Sequence, residues 1–198
     1  MIAIINGCGT NFASVQAALE RLEKKSILTT DKKIITSASH VILPGVGTAN
    51  HAMSTLQELD LIEVICALKQ PVLGICVGMQ ILYEYSCEGN VNCLGIFPGK
   101  VEPLAQNADD NLVLPHMGWN KVFLSQSQSP LIEGIESESY LYFVHSYAAR
   151  VNENTLAYTH YGSNFSAIVQ KNNFYGVQFH PERSGKTGEK ILQNFVTT

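Results

Sequence analysis

Charge is scarce in this chain of 198 residues: 15% are Asp, Glu, Lys or Arg, and the formal net charge is −4. Basic residues never gather beyond Lys24-Lys25 and Lys32-Lys33, so the electrostatic footprint of a nucleic-acid binder is missing. Closely spaced cysteine pairs are missing too. Cys8, Cys66, Cys76, Cys87 and Cys93 are odd in number and contain no C-x-x-C, which argues against a disulfide framework and against a zinc knuckle. Long apolar runs are lacking as well. The longest, around Pro71 to Tyr83, carries Gln80 and is too short to span a bilayer. Ile2 to Ile5 is too short for the apolar part of a signal peptide and has no charged leader. The expectation is a cytoplasmic chain with reduced thiols, no membrane contact and no metal. Internal repeats and low-complexity segments are also absent. What is present is 45% hydrophobic residues, enough for one α/β domain with a core that needs no staples.

The first part of the chain alternates strand and helix. Ile2 to Ile5 reads as a buried strand, and Asn6 to Thr10 as a glycine-rich turn with Thr10 or Asn11 as a helix cap. The following helix shows Phe12, Val15, Leu19 and Leu22 on one face. Gly7-x-Gly9 lacks the third glycine of a dinucleotide fingerprint, since Phe12 holds that place. No cofactor is expected. Ile27 to Thr30 and Ile34 to Thr36 read as short strands around a charged turn at Asp31 to Lys33. Val41 to Leu43 is a third strand, ending in Pro44-Gly45-Val46-Gly47. Helices follow from about Ala49 to Leu59 and from about Leu61 to Lys69. Such alternation predicts a parallel sheet covered by helices, with ligands at the carboxyl ends of its strands. After Glu84 the pattern changes. Strand-like runs near Lys100 to Leu104, Leu112 to Leu114, Asn120 to Leu124, Tyr140 to Val144, Leu156 to Tyr161, Ser166 to Gln170 and Phe174 to Phe179 predict an antiparallel or mixed extension of the same domain. A closing helix spans Thr187 to Val196.

The stretch Pro71 to Leu82 is the centre of the chemistry. An apolar strand breaks at Gly74, and Cys76 and Gly78 follow before a helical pattern. A cysteine on a strand-to-helix turn, with small residues two before and two after, has the form of a nucleophile elbow. The bland alternative is a cysteine packed at a strand end. A nucleophilic thiol needs a base, and the base an orienting group. His180-Pro181-Glu182, at the end of the strand-like run Phe174 to Phe179, offers both, with Pro181 fixing the backbone between them. The bland alternative there is an exposed turn with an incidental pair. Among the other histidines, His40, His51 and His160 read as surface residues. His180-x-Glu182 lacks the Pro-Cys-x-x-Cys of a zinc deaminase. Gly185-Lys186-Thr187 lacks the first glycine of a phosphate loop, because His180 stands there.

Gly74-Ile75-Cys76-Val77-Gly78-Met79-Gln80 together with Phe179-His180-Pro181-Glu182 resembles the class I, triad-type glutamine amidotransferases, and the similarity runs nearly the full chain. Narrower segments resemble one branch, the glutaminase subunits of imidazole glycerol phosphate synthases. These are Leu43 to Gly47, Leu114-Pro115-His116-Met117-Gly118-Trp119-Asn120, Phe143 to Tyr147 and His180 to Gly185. The resemblance implies a flavodoxin-like α/β/α fold, mainly parallel with an antiparallel extension. It implies Cys76 as nucleophile, His180 as base and Glu182 as its orienter. It places oxyanion donors at Val77 and at Val46-Gly47, the latter after a backbone flip. Gly47, Gln80, Glu88, His145, Ser146 and Tyr147 match positions that hold glutamine. The implied partner is a (β/α)₈-barrel cyclase that receives the ammonia, with Met117, Trp119, Asn120 and Arg183 at or near the interface. From the residues alone, Trp119 reads equally as an interface anchor on an exposed loop or as a ring packed under one. Two places depart from the family: Asn6 to Thr10 lacks an acidic-aromatic pair, and Cys87 stands where an acidic residue is expected beside Glu88. Three readings follow: a glutaminase subunit, a free-standing cysteine amidohydrolase or peptidase of the same fold, and a catalytically dead binding subunit. The intact Cys76, His180 and Glu182 argue against the last.

Overall fold

The computed structural model describes residues 1–7, 12–104, 112–125 and 128–198. Part of the first predicted turn, with Cys8 and both candidate cap residues Thr10 and Asn11, lies outside them.

The first half is a run of parallel strands and helices. β1 (Ile2–Ile5) leads to α1 (Phe12–Arg21), β2 (Ser26–Thr29), α2 (Lys32–Ser37) and β3 (His40–Gly45). Then come α3 (Ala49–Glu58), α4 (Ile62–Cys66), β4 (Val72–Cys76) and the single turn α5 (Val77–Gln80). β1 and β4 are buried at every residue, as expected for strands covered on both faces. The helix α2 corrects the strand expected at Ile34 to Thr36. The Asp31 carboxylate accepts hydrogen bonds from the backbone N–H groups of Lys33 and Ile34. Asp31 is thus an N-cap that starts a helix and buries Ile35, not part of a turn between strands.

The second half supplies β5 (Tyr83–Ser86), β6 (Val91–Asn92), β7 (Phe97–Pro103), β8 (His116–Leu124), β9 (Ser139–His145) and β10 (Tyr147–Ala149). It continues with β11 (Thr155–Tyr161), β12 (Ser163–Lys171), β13 (Phe174–Val177), a 3-10 turn at Pro181–Arg183 and α6 (Gly185–Phe195). Leu112 to Leu114 is not a strand. Instead β8 begins at His116, four residues before the expected start, because it pairs with β9 all along His116 to Val122.

Two sheets result. The larger has nine strands in the order β2-β1-β3-β4-β13-β12-β11-β8-β9. From β2 to β13 all pairings are parallel, and from β13 to β9 all are antiparallel. The smaller sheet has the order β10-β7-β5-β6 and touches α3 and α5. α6 packs against the 181–183 turn and β9, burying Ile191, Leu192, Phe195 and Val196. His40, expected at the surface, starts β3 and sets its ring edge against Phe195 at 5.4 Å between centroids.

The consequence for function is one of placement. β4 lies between β3 and β13, with Gly45 level with Cys76 and Val177 level with Ile75. The Pro44–Gly47 segment, the Cys76 turn and the His180 turn therefore emerge side by side at the carboxyl ends of adjacent strands.

Candidate active site

Cys76 sits at the junction of β4 and α5 with φ +54° and ψ −112°. This is a costly conformation for a residue with a Cβ, held only where the surroundings over-determine it. The glycines on either side explain how it is held. A Cβ on Gly74 would lie 2.5 Å from the Gly78 carbonyl oxygen, and one on Gly78 would overlap the Leu43 carbonyl oxygen. A Cβ on Gly45 would meet the Gly78 nitrogen at 2.5 Å. The elbow is pressed against β3, and only bare backbone fits at these contacts.

His180 follows β13 as the residue before Pro181. Its Nδ1 lies 2.9 Å from Oε1 of Glu182, and the two side chains are 4% and 0% exposed. The other ring nitrogen, Nε2, is buried without an aligned hydrogen bond, while Cys76 stands within electrostatic reach of the ring. Burial disfavours the charged imidazole, but interaction with Cys76 and with Glu182 outweighs it and pushes the His180 pKa up to about 10. The ring is therefore built to take a proton and keep it.

These groups open into a cavity of about 380 Å³, within the range of about 300–1,000 Å³ usual for small-molecule sites. Val46, Gly47, Cys76, Val77, Gln80, Glu88, His145, Ser146, Tyr147 and His180 all line it. The sequence expectation drew these from five separate segments, and the fold brings them to one place. Glu182 stands behind His180. The Glu88 carboxylate accepts a hydrogen bond from the Ala49 N–H at 3.0 Å, at the start of α3. Gly47 has φ +93° and open space where a Cβ would be.

Met117 and Trp119 are 61% and 55% exposed. They lie on β8, not on a loop, and the Trp119 ring meets Tyr142 edge-on at 6.0 Å. Arg183 is exposed in the turn after His180. Asn120 differs: its amide faces inward, 3.2 Å from Nε2 of His116 and 3.0 Å from the His160 carbonyl oxygen.

Sequence reasoning passed over Gln178. Its amide nitrogen lies 3.8 Å from Cys76 Sγ, and its Oε1 accepts from Gln80 at 3.1 Å. The available signal was a polar residue inside the apolar run Phe174 to Phe179, where burial demands partners. The Val144 carbonyl, also 3.8 Å from Sγ, had no sequence signal. Among the described residues, no three His, Cys, Asp or Glu side chains are grouped to hold a metal ion, and no helix is long and apolar enough to cross a membrane. Cys66, Cys76, Cys87 and Cys93 are all free thiols.

Comparison with known proteins identifies the family. Residues 6–198 match the family described as glutamine amidotransferase class-I. The imidazole glycerol phosphate synthase subunit HisH of Haemophilus influenzae is 52% identical over 195 residues, covering 98% of this chain and 96% of the relative. The subunit HisH 2 of Legionella pneumophila is 49% identical over 197 residues, covering 100% and 98%. Among solved structures, a glutamine amidotransferase superposes with TM-score 0.75 at 18% identity, covering 99% of this chain and 97% of that one. PurLQS from Thermotoga maritima gives a TM-score of 0.73 at 18% identity with the same coverage. With a fold of that type, and with the family match running over nearly its whole length, the chain belongs to the class I glutamine amidotransferases.

Proposed function

We propose that the chain is the glutaminase subunit of an imidazole glycerol phosphate synthase in histidine biosynthesis. The observation that carries the reading is the buried His180–Glu182 pair at 2.9 Å beside a cysteine at a strained elbow, in a chain about half identical to HisH subunits along its length. Cys76 Sγ attacks the side-chain carboxamide carbon of glutamine. His180 takes the thiol proton and delivers it to the departing nitrogen, so that ammonia leaves and a glutamyl thioester remains. Water then cleaves the thioester, giving glutamate and restoring the thiol. Glu182 holds the imidazole in its working tautomer.

The oxyanion formed in each step is met by the Val77 N–H, at the start of α5, and by a second donor from Val46-Gly47 once that peptide turns. The open space at Gly47 permits such a turn. One such donor is worth about 3–4 kcal/mol, enough to act as a switch. Gly47, Gln80, Glu88 and the His145-Ser146-Tyr147 segment hold the substrate. Met117, Trp119, Asn120 and Arg183 form or border the face that meets a (β/α)₈-barrel cyclase. That subunit uses the ammonia to make imidazole glycerol phosphate and an aminoimidazole carboxamide ribotide. The chain works in the cytoplasm and needs no cofactor of its own.

The test is a glutaminase assay of the chain alone, with the cyclase, and with the cyclase plus its nucleotide substrate, for the wild type and Cys76→Ala. Turnover should be low alone and rise with partner and nucleotide. Cys76→Ala should abolish it while ammonia-dependent synthesis persists. Strong turnover of the isolated chain would favour a free-standing amidohydrolase, and turnover retained in Cys76→Ala would sink both.

A further inference from the structure

On the inner face of β8 and β9, where His145 lines the cavity and His116 lies next to it, two buried histidines make hydrogen bonds whose direction can be assigned. Tyr147 offers a carbonyl oxygen, which only accepts, 2.8 Å from His145 Nδ1, so that nitrogen carries the proton. In a neutral ring His145 Nε2 is then an acceptor, and His116 Nδ1, 3.0 Å away, must be the donor. His116 Nε2 in turn accepts from Asn120 Nδ2 at 3.2 Å. The amide of Asn120 is itself oriented, because its Oδ1 accepts the Lys121 N–H at 2.8 Å. A single proton arrangement satisfies every link, running from Asn120 inward to Tyr147.

The chain does not stop there. The same Tyr147 carbonyl accepts from Gln80 Nε2 at 2.9 Å. Gln80 bonds Gln178, and Gln178 faces the Cys76 sulfur at 3.8 Å. The rings have little freedom: His116 is stacked on Tyr161 at 4.1 Å and on Phe143 at 5.0 Å. Burial lowers both imidazole pKa values, His116 to about 4 and His145 to about 3, so both rings are neutral near pH 7. On the opposite face of β8, Met117 and Trp119 project outward. His116 pairs across the ladder with His145, Met117 with Val144 and Trp119 with Tyr142.

We infer that Asn120, His116 and His145 are positioning residues, a one-way hydrogen-bond chain that sets the Tyr147 carbonyl and, through Gln80 and Gln178, the surroundings of Cys76. The inference rests on the glutaminase-subunit reading above. It adds a route by which a protein docked on the outer face of β8 is felt in the pocket, since the strand that carries Met117 and Trp119 also carries the first two links. Tyr147 belongs to the segment that holds glutamine, so a broken chain is read mainly in substrate affinity.

The experiment compares wild type, His116→Phe, His116→Asn and Asn120→Leu, each in complex with the cyclase. Phenylalanine keeps the ring stacking and removes the donor. Asparagine can place an N–H near the position of Nδ1. The expected result is a fall of roughly tenfold in kcat/KM for glutamine in His116→Phe, mostly through KM, with ammonia-dependent synthesis unchanged and at least partial recovery in His116→Asn. Asn120→Leu should act in the same direction with a smaller effect. A melting temperature that drops while glutamine kinetics stay at wild-type values would overturn the inference. Nitrogen-15 NMR of the imidazoles supplies an arm that needs no substrate: Nδ1–H tautomers of both His116 and His145 near pH 7 support the chain, and an Nε2–H tautomer at either refutes it. A wild-type complex without glutaminase turnover would refute the proposed function, while the tautomers would still be read.

Discussion

Glu182 Oε1 and His180 Nδ1 meet at 2.9 Å with both side chains shut off from solvent. The carboxylate sits behind the ring, away from the cavity that the ring lines. Its effect on chemistry must therefore pass through the imidazole: it fixes the ring's orientation and helps hold its proton.

Glu182→Gln keeps the shape of that contact and removes the charge. Glutaminase kcat in the complex should fall roughly 10²- to 10⁴-fold, with little change in KM. The same substitution should change stability against pH. Between about 6.5, where free imidazole titrates, and about 10, the folded wild type holds a proton that the unfolded chain has lost. This contribution to stability is complete below the unfolded value and fades as pH rises through the folded one. Urea midpoints from pH 6 to 10 should therefore fall more steeply in wild type than in Glu182→Gln, and parallel curves would contradict this account of the pair.

The elbow makes a second demand. A Cβ on Gly78 would overlap the Leu43 carbonyl oxygen, which is backbone inside the central sheet and cannot move aside cheaply. Gly78→Ala should cost at least the roughly 1–3 kcal/mol of ordinary overpacking and should impair glutaminase turnover. Gly95→Ala is the control. Gly95 has φ +68° but nothing within 4 Å of a built Cβ, so only the backbone penalty of roughly 1–2 kcal/mol applies there, with activity intact. Equal turnover in the two variants would show that the elbow tolerates displacement.

Much of the candidate site was legible in the sequence because its parts end neighbouring strands. Gly74, Cys76 and Gly78 mark a strand-to-helix turn by residue type alone, and His180-Pro181-Glu182 closes an apolar run. Parallel alternation places such ends together. What was hidden depends on partners far apart in the chain. His116 and His145 face each other only because β8 and β9 pair over His116 to Val122, and Gly118, between Met117 and Trp119, disguises the first half of β8. Gln178 looks like any strand polar residue until its amide is seen beside Sγ. The error at Ile34 to Thr36 has a local cause. Three β-branched residues suggest a strand, but Asp31 caps the Lys33 and Ile34 N–H groups and the cap decides.

The histidine pair should leave its mark at acid pH. Burial lowers the His116 pKa to about 4, and burial with repulsion from His116 and His180 lowers that of His145 to about 3 despite its bond to Tyr147. Below about 6.5 the unfolded chain takes up protons that the folded rings refuse, so stability drops as pH falls from about 6.5 toward 4. His116→Phe removes one of the two sites. Its loss of melting temperature between pH 7 and pH 5 should be smaller than that of wild type, whatever its stability at pH 7. An unchanged slope would mean that the His116 ring is protonated in the folded chain.

Trp119 separates a docking role from a packing role. The ring is 55% exposed, and its one aromatic contact among the described residues, Tyr142, is an edge-on approach at 6.0 Å on the same strand pair. Removing an exposed ring of this kind changes the stability of the isolated chain by no more than about 0.5 kcal/mol. A Trp anchor at the centre of a protein interface, by contrast, is worth about 2 kcal/mol or more, or roughly thirtyfold in affinity. Trp119→Ala should therefore weaken binding to the cyclase by at least that factor in titration calorimetry, with an unchanged urea midpoint for the chain alone. Met117→Ala, its exposed neighbour on the same face, should act in the same direction and less strongly, since methionine fills an interface without anchoring it. Loss of stability with unchanged affinity would assign the ring to the fold and move the docking face away from β8.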